Sequence, residues 1–301
     1  MKKLIASQNS SAPRDPFITK IGDKYYRCYT EHSDSVSIAC ADSLEGLSTA
    51  EGSVVFLPQD PAYSKQVWAP ELHLLDGKCY IYVACDDGEN HNHRMYVLGN
   101  DSADPTKPYS MLGKITDPTD KWAIDGNVVS IRGTNYFIWS GWEGEENVCQ
   151  NLYIARMKSP TELDSERYLL STPEYDWEKL GSTGEPESPL INEGAFGFCA
   201  DGEYYVTYSG AGSWCKDYCI ALLKLVGDNP LDRSCWKKWD TPILSANDQV
   251  QGAGHCSVLC EDDKLLVFFH AWDKAETKIV WNTVAVWQAE MHISGDTVTI
   301  E

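Results

Sequence analysis

Asp201-Gly202-Glu203-Tyr204-Tyr205-Val206-Thr207-Tyr208 is a two-residue turn feeding a strand of aromatic and β-branched residues. Asp-Gly suits a tight hairpin turn, and Tyr, Val and Thr pack well on a pleated surface. The pattern returns four more times, at Gly22-Asp23-Lys24-Tyr25-Tyr26, Asp76-Gly77-Lys78-Cys79-Tyr80, Arg132-Gly133-Thr134-Asn135-Tyr136 and Asp262-Asp263-Lys264-Leu265-Leu266. With Tyr26, Tyr80, Tyr136, Tyr205 and Leu266 aligned, the steps are 54, 56, 69 and 61 residues. A unit of that length holds four short strands. Five of them in a row predict an all-β chain forming a single five-bladed β-propeller. The domain spans residues 1–301, with blades at roughly 12–62, 65–116, 120–182, 188–246 and 250–300. Stripes at helical spacing are scarce.

Ahead of each unit a polar residue enters an apolar strand: Asp15, Glu71, Asp125, Glu193 and His255. In a propeller these strands line the central channel, so their starts converge at one end of the axis. Glu193, in Leu190-Ile191-Asn192-Glu193-Gly194-Ala195, has small neighbours that let a ligand come close. That is how an all-β enzyme presents a proton donor.

The bulk composition narrows the partners. The net charge of −20 and pI near 4.6 argue against nucleic acid and against an anionic membrane surface. A neutral substrate fits. No run reaches the length of a membrane span. The 11 Trp and 16 Tyr are mostly core material, and some can stack on sugar rings. The 11 cysteines are odd in number and irregularly spaced, without a Cys-x-x-Cys pair, which predicts free thiols in a reducing compartment. The N-terminal apolar run turns polar by Ser7, too soon for a secretion signal. A cytoplasmic location follows, unless a leader has been removed.

Three carboxylates and a histidine around one axis suit hydrolysis of a glycosidic bond. The reaction needs an acid to protonate the leaving oxygen and a base or nucleophile on the other face. The acid must hold its proton near neutrality, which burial and a neighbouring carboxylate both promote.

These residues resemble glycoside hydrolase family 43, over nearly the whole chain from Asp15 to His270. Arg14-Asp15-Pro16-Phe17-Ile18 looks like the family's general-base motif and Trp68-Ala69-Pro70-Glu71-Leu72-His73 like its second-blade motif. Ile124-Asp125-Gly126 is similar to the segment of the pKa-modulating aspartate, and Asn192-Glu193-Gly194 to that of the general acid. Gly252-Ala253-Gly254-His255-Cys256-Ser257 resembles the stretch whose histidine lies in the channel, often near a calcium or sodium ion. The resemblance implies a five-bladed propeller acting with inversion, with Asp15 as base, Asp125 as modulator and Glu193 as acid. It implies no cofactor for the chemistry, and an ion held near His255 through waters. The family often has Pro after Glu-Gly, where this chain has Ala195. Glu187, in a Pro-bounded loop, is a rival acid.

Asp86 to Leu98 and Tyr208 to Tyr218 resemble segments of exo-acting α-L-arabinofuranosidases. The resemblance implies release of terminal arabinofuranose from arabinan or arabino-oligosaccharides. His91 and Arg94, in a loop rich in Asn, His and Asp, are candidate substrate partners. Trp214 among small residues is a candidate stacking platform. Trp68 is a sugar wall or core, and Trp142, beside a polar loop, is expected at the cleft. Glu71 is expected to be structural or a carboxylate behind the site. The alternatives are a β-xylosidase or endo-arabinanase of the same family, and a carbohydrate-binding propeller without catalysis.

Overall fold

The computed structural model describes residues 1–7, 13–102 and 104–301. The described residues are organised by short antiparallel strands. Consecutive groups pair within themselves: Phe17–Ile21, Lys24–Glu31, Ser35–Ala41 and Ser53–Phe56, then Lys65–Leu75, Lys78–Asp86, Arg94–Gly99 and Ser110–Lys114. The third group is Ala123–Ile131, Thr134–Trp142, Cys149–Ser159 and Tyr168–Ser171. The fourth is Leu190–Ala200, Glu203–Gly210, Cys219–Leu225 and Trp236–Lys238. A two-residue parallel bridge, Cys149 to Leu190 and Gln150 to Ile191, joins these two into one sheet. The last group is Val250–Glu261, Lys264–Asp273 and Ala285–Ser294. Its outer strand is Lys2–Ile5, from the other end of the chain, and Thr297–Ile300 also pairs with Ala285–Ser294.

The turn chemistry that marks the repeat is realised in the backbone. Asp76-Gly77, Arg132-Gly133, Asp201-Gly202 and Asp262-Asp263 have positive φ at both central residues, the type I′ pattern of two-residue hairpins.

Five apolar clusters hold the groups together, each shared by two neighbours. Cys28, Ile38, Leu72 and Ile81 join the first and second groups. Tyr82, Val97, Phe137 and Trp139 join the second and third. Ile138, Ile154, Val206 and Leu223 join the third and fourth. Ile220, Leu222, Val267 and Phe269 join the fourth and fifth. Ile18, Leu47, Phe268 and Val286 join the fifth to the first. The leading strand of each group touches that of the next, and the fifth touches the first.

Every group breaks its regular backbone at the same place. Asp15, Ala69, Asp125, Gly194 and His255 all have positive φ, between 42° and 58°. Each precedes the aligned hairpin residue, Tyr26, Tyr80, Tyr136, Tyr205 or Leu266, by eleven positions. In four groups the strand register shifts at this point. A bulge there kinks the strand and re-aims its side chains. The structurally equivalent positions are therefore Ala69 and Gly194, rather than Glu71 and Glu193. Glu193 lies one residue before its kink and Glu71 two after.

Candidate active site

The kinks bring Asp15, Asp125, Glu193 and His255 to one cleft of about 360 Å³. That is the size range of a small-ligand site. Its walls include Trp68, Trp122, Trp214 and Trp281, with Asn90, Asn147 and Gln150 among the polar lining.

His255 is the hub. Its Nδ1 lies 3.2 Å from Asp15 Oδ1 and 3.9 Å from Asp125 Oδ2. Its backbone N–H donates to Ser209 Oγ at 2.7 Å. Burial pushes the imidazole down, but Asp15, Asp125 and Glu193 outweigh that and raise it above its ordinary value.

Asp15 is held well below the usual carboxylate range. Burial raises it, but His255, His270 and the Arg14 guanidinium together overcome that. Arg14 Nε stands 3.7 Å from Asp15 Oδ2. His270 Nδ1 lies 3.2 Å from the Asp15 backbone N–H and 3.3 Å from its Oδ1. Burial holds the His270 imidazole below its ordinary value. The ring accepts the N–H when Nε2 carries the proton and donates to the carboxylate when Nδ1 does.

Asp125 is pushed up to about 6, first by burial and then by the charge of Asp15 against the opposing pull of His255. Its Oδ2 accepts the Gly194 N–H at 3.0 Å. Gly126, next to it, is obligatory: a Cβ there would lie 2.2 Å from the Phe137 ring.

Glu193 is pushed up to about 8, by burial first and Asp125 second. Tyr218 donates its hydroxyl to Glu193 Oε1 at 2.8 Å, a hydrogen bond that favours the ionised form and partly offsets the rise. Tyr218 is itself fully buried and stacks on His270, with ring centroids 5.6 Å apart. The cleft thus holds one carboxyl kept ionised and one kept protonated near neutrality.

Glu71 stays behind this set. It accepts from Asn127 Nδ2 at 2.6 Å and faces His73 Nε2 at 3.2 Å. Asn127 in turn accepts the Gly197 N–H at 2.9 Å, so the carboxylate ties the second, third and fourth leading strands together.

The other sequence candidates divide. Trp68 and Trp214 line the cleft. Trp214 is 41% exposed, and its Nε1 donates to the Gly181 carbonyl at 2.8 Å. Trp142 does not reach the cleft. It is 3% exposed and stacks behind Trp122, at 4.7 Å and 9°. The polar loop after it disguised a core residue. Arg94 turns away to Asp120 Oδ1 at 3.1 Å and to the His91 and His93 carbonyls. His91 lies outside the lining, its ring 6.0 Å from Trp142. His93, fully buried, is the member of that loop that acts on the wall, stacking on Trp68 at 4.3 Å. Glu187 lines the cleft from an exposed loop.

Tyr218, His270, Trp122 and Trp281 were not anticipated. His270 alone carried a readable signal, a titratable residue inside the apolar run Val267-Phe268-Phe269-His270-Ala271-Trp272.

The residues around His255 do not form a cation site by themselves. Nδ1 is already engaged with two carboxylates, Asp15 Oδ1 at 3.2 Å and Asp125 Oδ2 at 3.9 Å. Among the described residues, no group of three or more His, Cys, Asp or Glu side chains is arranged to hold a metal ion. No helix of the described residues is long and apolar enough to cross a membrane.

The sequence model of glycosyl hydrolases family 43 matches residues 9–290. The chain is 30% identical over 267 residues to an extracellular exo-α-(1→5)-L-arabinofuranosidase of Streptomyces chartreusis, covering 85% of this chain and 79% of that protein. It is also 30% identical to α-L-arabinofuranosidase B of Pyricularia oryzae, over 85% of this chain but 54% of the relative, so it spans about half that protein's length. In three dimensions it is similar to an α-L-arabinofuranosidase from Lactobacillus brevis, with a TM-score of 0.85, 26% identity and 99% and 94% of the two chains covered.

Proposed function

The chain belongs to glycosyl hydrolases family 43 and is a glycoside hydrolase, and we propose that it releases terminal α-L-arabinofuranose from arabinan or arabino-oligosaccharides with inversion at the anomeric carbon. The observation that carries the mechanism is the opposed tuning of Asp15 and Glu193 across one cleft. The arabinofuranosidase names of the relatives support the sugar. The fold in this proposal is a single five-bladed β-propeller. Its support is the five-fold kink, the five shared clusters and the contact of the last leading strand with the first.

In the reaction, Asp15 takes a proton from a water whose oxygen bonds to the anomeric carbon. The bond from that carbon to the leaving oxygen breaks, and Glu193 gives its proton to that oxygen. Burial first and the charge of Asp125 second keep the proton on the acid, and Asp125 also fixes the neighbouring Gly194. Inversion requires the two carboxyl groups to stand about 6.5–9.5 Å apart to admit the water. No step passes through a cofactor or metal; an ion near His255 would act through waters and serve the scaffold. Trp68 and Trp214 are sugar-stacking surfaces in this reading.

A cytoplasmic location belongs to the same proposal. It rests on eleven free cysteines, five of them buried.

The test is an NMR time course on linear α-1,5-arabino-oligosaccharides. The first-formed arabinose carries the anomeric configuration opposite to the substrate, one residue released per event. Asp15→Ala, Asp125→Ala and Glu193→Ala each lower kcat by about a hundredfold or more while remaining folded, the scale of lost acid–base catalysis. First-formed arabinose of retained configuration overturns the mechanism. Preferential release of xylose, or of oligosaccharides, overturns the specificity.

A further inference from the structure

Behind Glu193, on the side away from the cleft, lies a charged residue that the chemistry above does not use. Glu178 is fully buried in the short turn Asp176–Lys179. Its Oε1 accepts from Asn192 Nδ2 at 2.8 Å and Tyr208 Oη at 3.1 Å. Its Oε2 accepts from the Glu174 and Tyr175 backbone N–H groups at 2.9 Å each, and from Lys238 Nζ at 2.9 Å. Lys238, itself mostly buried, also donates to the Thr172 carbonyl at 2.7 Å. Burying an ion pair costs desolvation that an apolar pair of the same volume avoids, so bulk stability is a poor reason for it. What the pair provides is a fixed acceptor.

That acceptor holds Asn192, the residue before Glu193. All the polar groups of Asn192 that face away from the cleft are engaged. Its Oδ1 accepts from Ser171 Oγ at 2.8 Å, and its backbone carbonyl accepts from Ser140 Oγ at 2.9 Å. Consecutive strand residues point to opposite faces, so clamping Asn192 on one face aims Glu193 on the other. The clamp matters because the regular ladder ends here: the register with Glu203–Gly210 breaks between Glu193 and Phe196. On its far side Glu193 is followed by the Gly194 kink rather than by a continued ladder.

We infer that Glu178 and Asn192 are positioning residues that aim the Glu193 carboxyl at the leaving oxygen, with Lys238 as the counter-charge to Glu178. The inference rests on Glu193 being the general acid. It predicts a defect confined to proton delivery. A dinitrophenolate leaves without a proton, whereas the alcohol of an arabinobiose does not.

The experiment measures kcat for Glu178→Gln, Asn192→Ala and Ser171→Ala on α-1,5-arabinobiose and on 2,4-dinitrophenyl α-L-arabinofuranoside, with Glu193→Ala as reference and thermal melting as the check on folding. The expected result for Glu178→Gln and Asn192→Ala is a loss of about tenfold or more on the disaccharide, a fraction of what a general acid contributes. The loss on the dinitrophenyl substrate is several times smaller. Ser171→Ala removes a single hydrogen bond from Asn192 and carries the test should the other two fail to fold, with a smaller split of the same sign. Equal losses on both substrates, or no loss on either, overturn the positioning role if Glu193→Ala shows the split. If Glu193→Ala shows none, the acid assignment is wrong and the inference falls with it.

Discussion

Asp125 Oδ2 accepts the backbone N–H of Gly194 at 3.0 Å, although the two residues stand 69 positions apart. One carboxylate thus does two things to Glu193. Its charge opposes ionisation, and its hydrogen bond pins the backbone one residue on. Gly194 is where the strand kinks, with φ of 58°. A Cβ there would lie 3.0 Å from His255 Cγ and 3.1 Å from its Cα.

Gly194→Ala therefore meets two penalties, a left-handed backbone of about 1–2 kcal/mol and a contact with the hub histidine. The expected outcome is a lower melting temperature together with a kcat loss of about tenfold or more, because the displaced group carries a catalytic proton partner. Melting and steady-state kinetics on the same preparation check it. Parent-like values for both would show the kink to be dispensable.

Removing the charge of Asp125 lowers the pKa of Glu193, since an anion no longer opposes ionisation. In Asp125→Asn the alkaline limb of the kcat profile, set by Glu193 near 8, moves to lower pH. Tyr218→Phe moves it the other way, because the lost hydroxyl favoured the ionised form. Opposite shifts in the two variants check the prediction, and shifts of the same sign would contradict it.

Stability carries the same proton. Folding raises Glu193 from its ordinary 4.5 to about 8, so the folded state holds the proton more tightly. That contribution is fully present below 4.5 and is lost as pH rises to about 8. Asp15, lowered on folding, contributes in the opposite sense, above its ordinary 3.8 and lost on acidification. Glu193→Gln removes the first contribution. Its melting temperature falls less between mildly acidic and mildly alkaline pH than the parent's, as scanning calorimetry across that range will read.

Two tryptophans separate substrate contact from core packing. Trp214→Ala removes an exposed cleft wall, so KM for arabino-oligosaccharides rises several-fold with little change in melting. Trp142→Ala leaves a cavity behind Trp122 and costs about 3–5 kcal/mol of stability. The paired measurement of KM and melting temperature distinguishes them. An equal KM effect from a well-folded Trp142→Ala would return that residue to the cleft.

The legible parts of this chain are those where chemistry and local backbone agree. Asp-Gly and Arg-Gly turns announce themselves because few other pairs adopt positive φ twice, and Tyr-rich strands follow them. The cleft carboxylates Asp15, Asp125 and Glu193 were legible as candidates because each is an acidic residue at the entrance to an apolar strand. The equivalence of the kinks was not. Asp15, Ala69, Asp125, Gly194 and His255 share a backbone conformation and no side-chain property, so a reading by residue type set Glu71 and Glu193 in their place. Trp142 was misjudged because Glu143 to Glu146 are polar and the stack on Trp122 is a long-range contact. The support shell of Tyr218, His270 and Glu178 comes from outer strands and turns, whose approach to the cleft only the assembled sheets decide.

The strand Lys2–Ile5 completes the sheet whose other members begin at Val250. Its partner, Ala285–Ser294, lies far along the chain, with Lys2 facing Gln288, so during synthesis Lys2–Ile5 waits, unpaired, until that segment has been made. The free edge of Ala285–Ser294 is then covered by a segment made long before it. Among the described residues, pairing of these two strands spans the longest stretch of chain, and steps of that kind are slow. A nascent chain stalled before Ala285–Ser294 emerges leaves Lys2–Ile5 without its partner, the state in which chaperones and proteases would meet it.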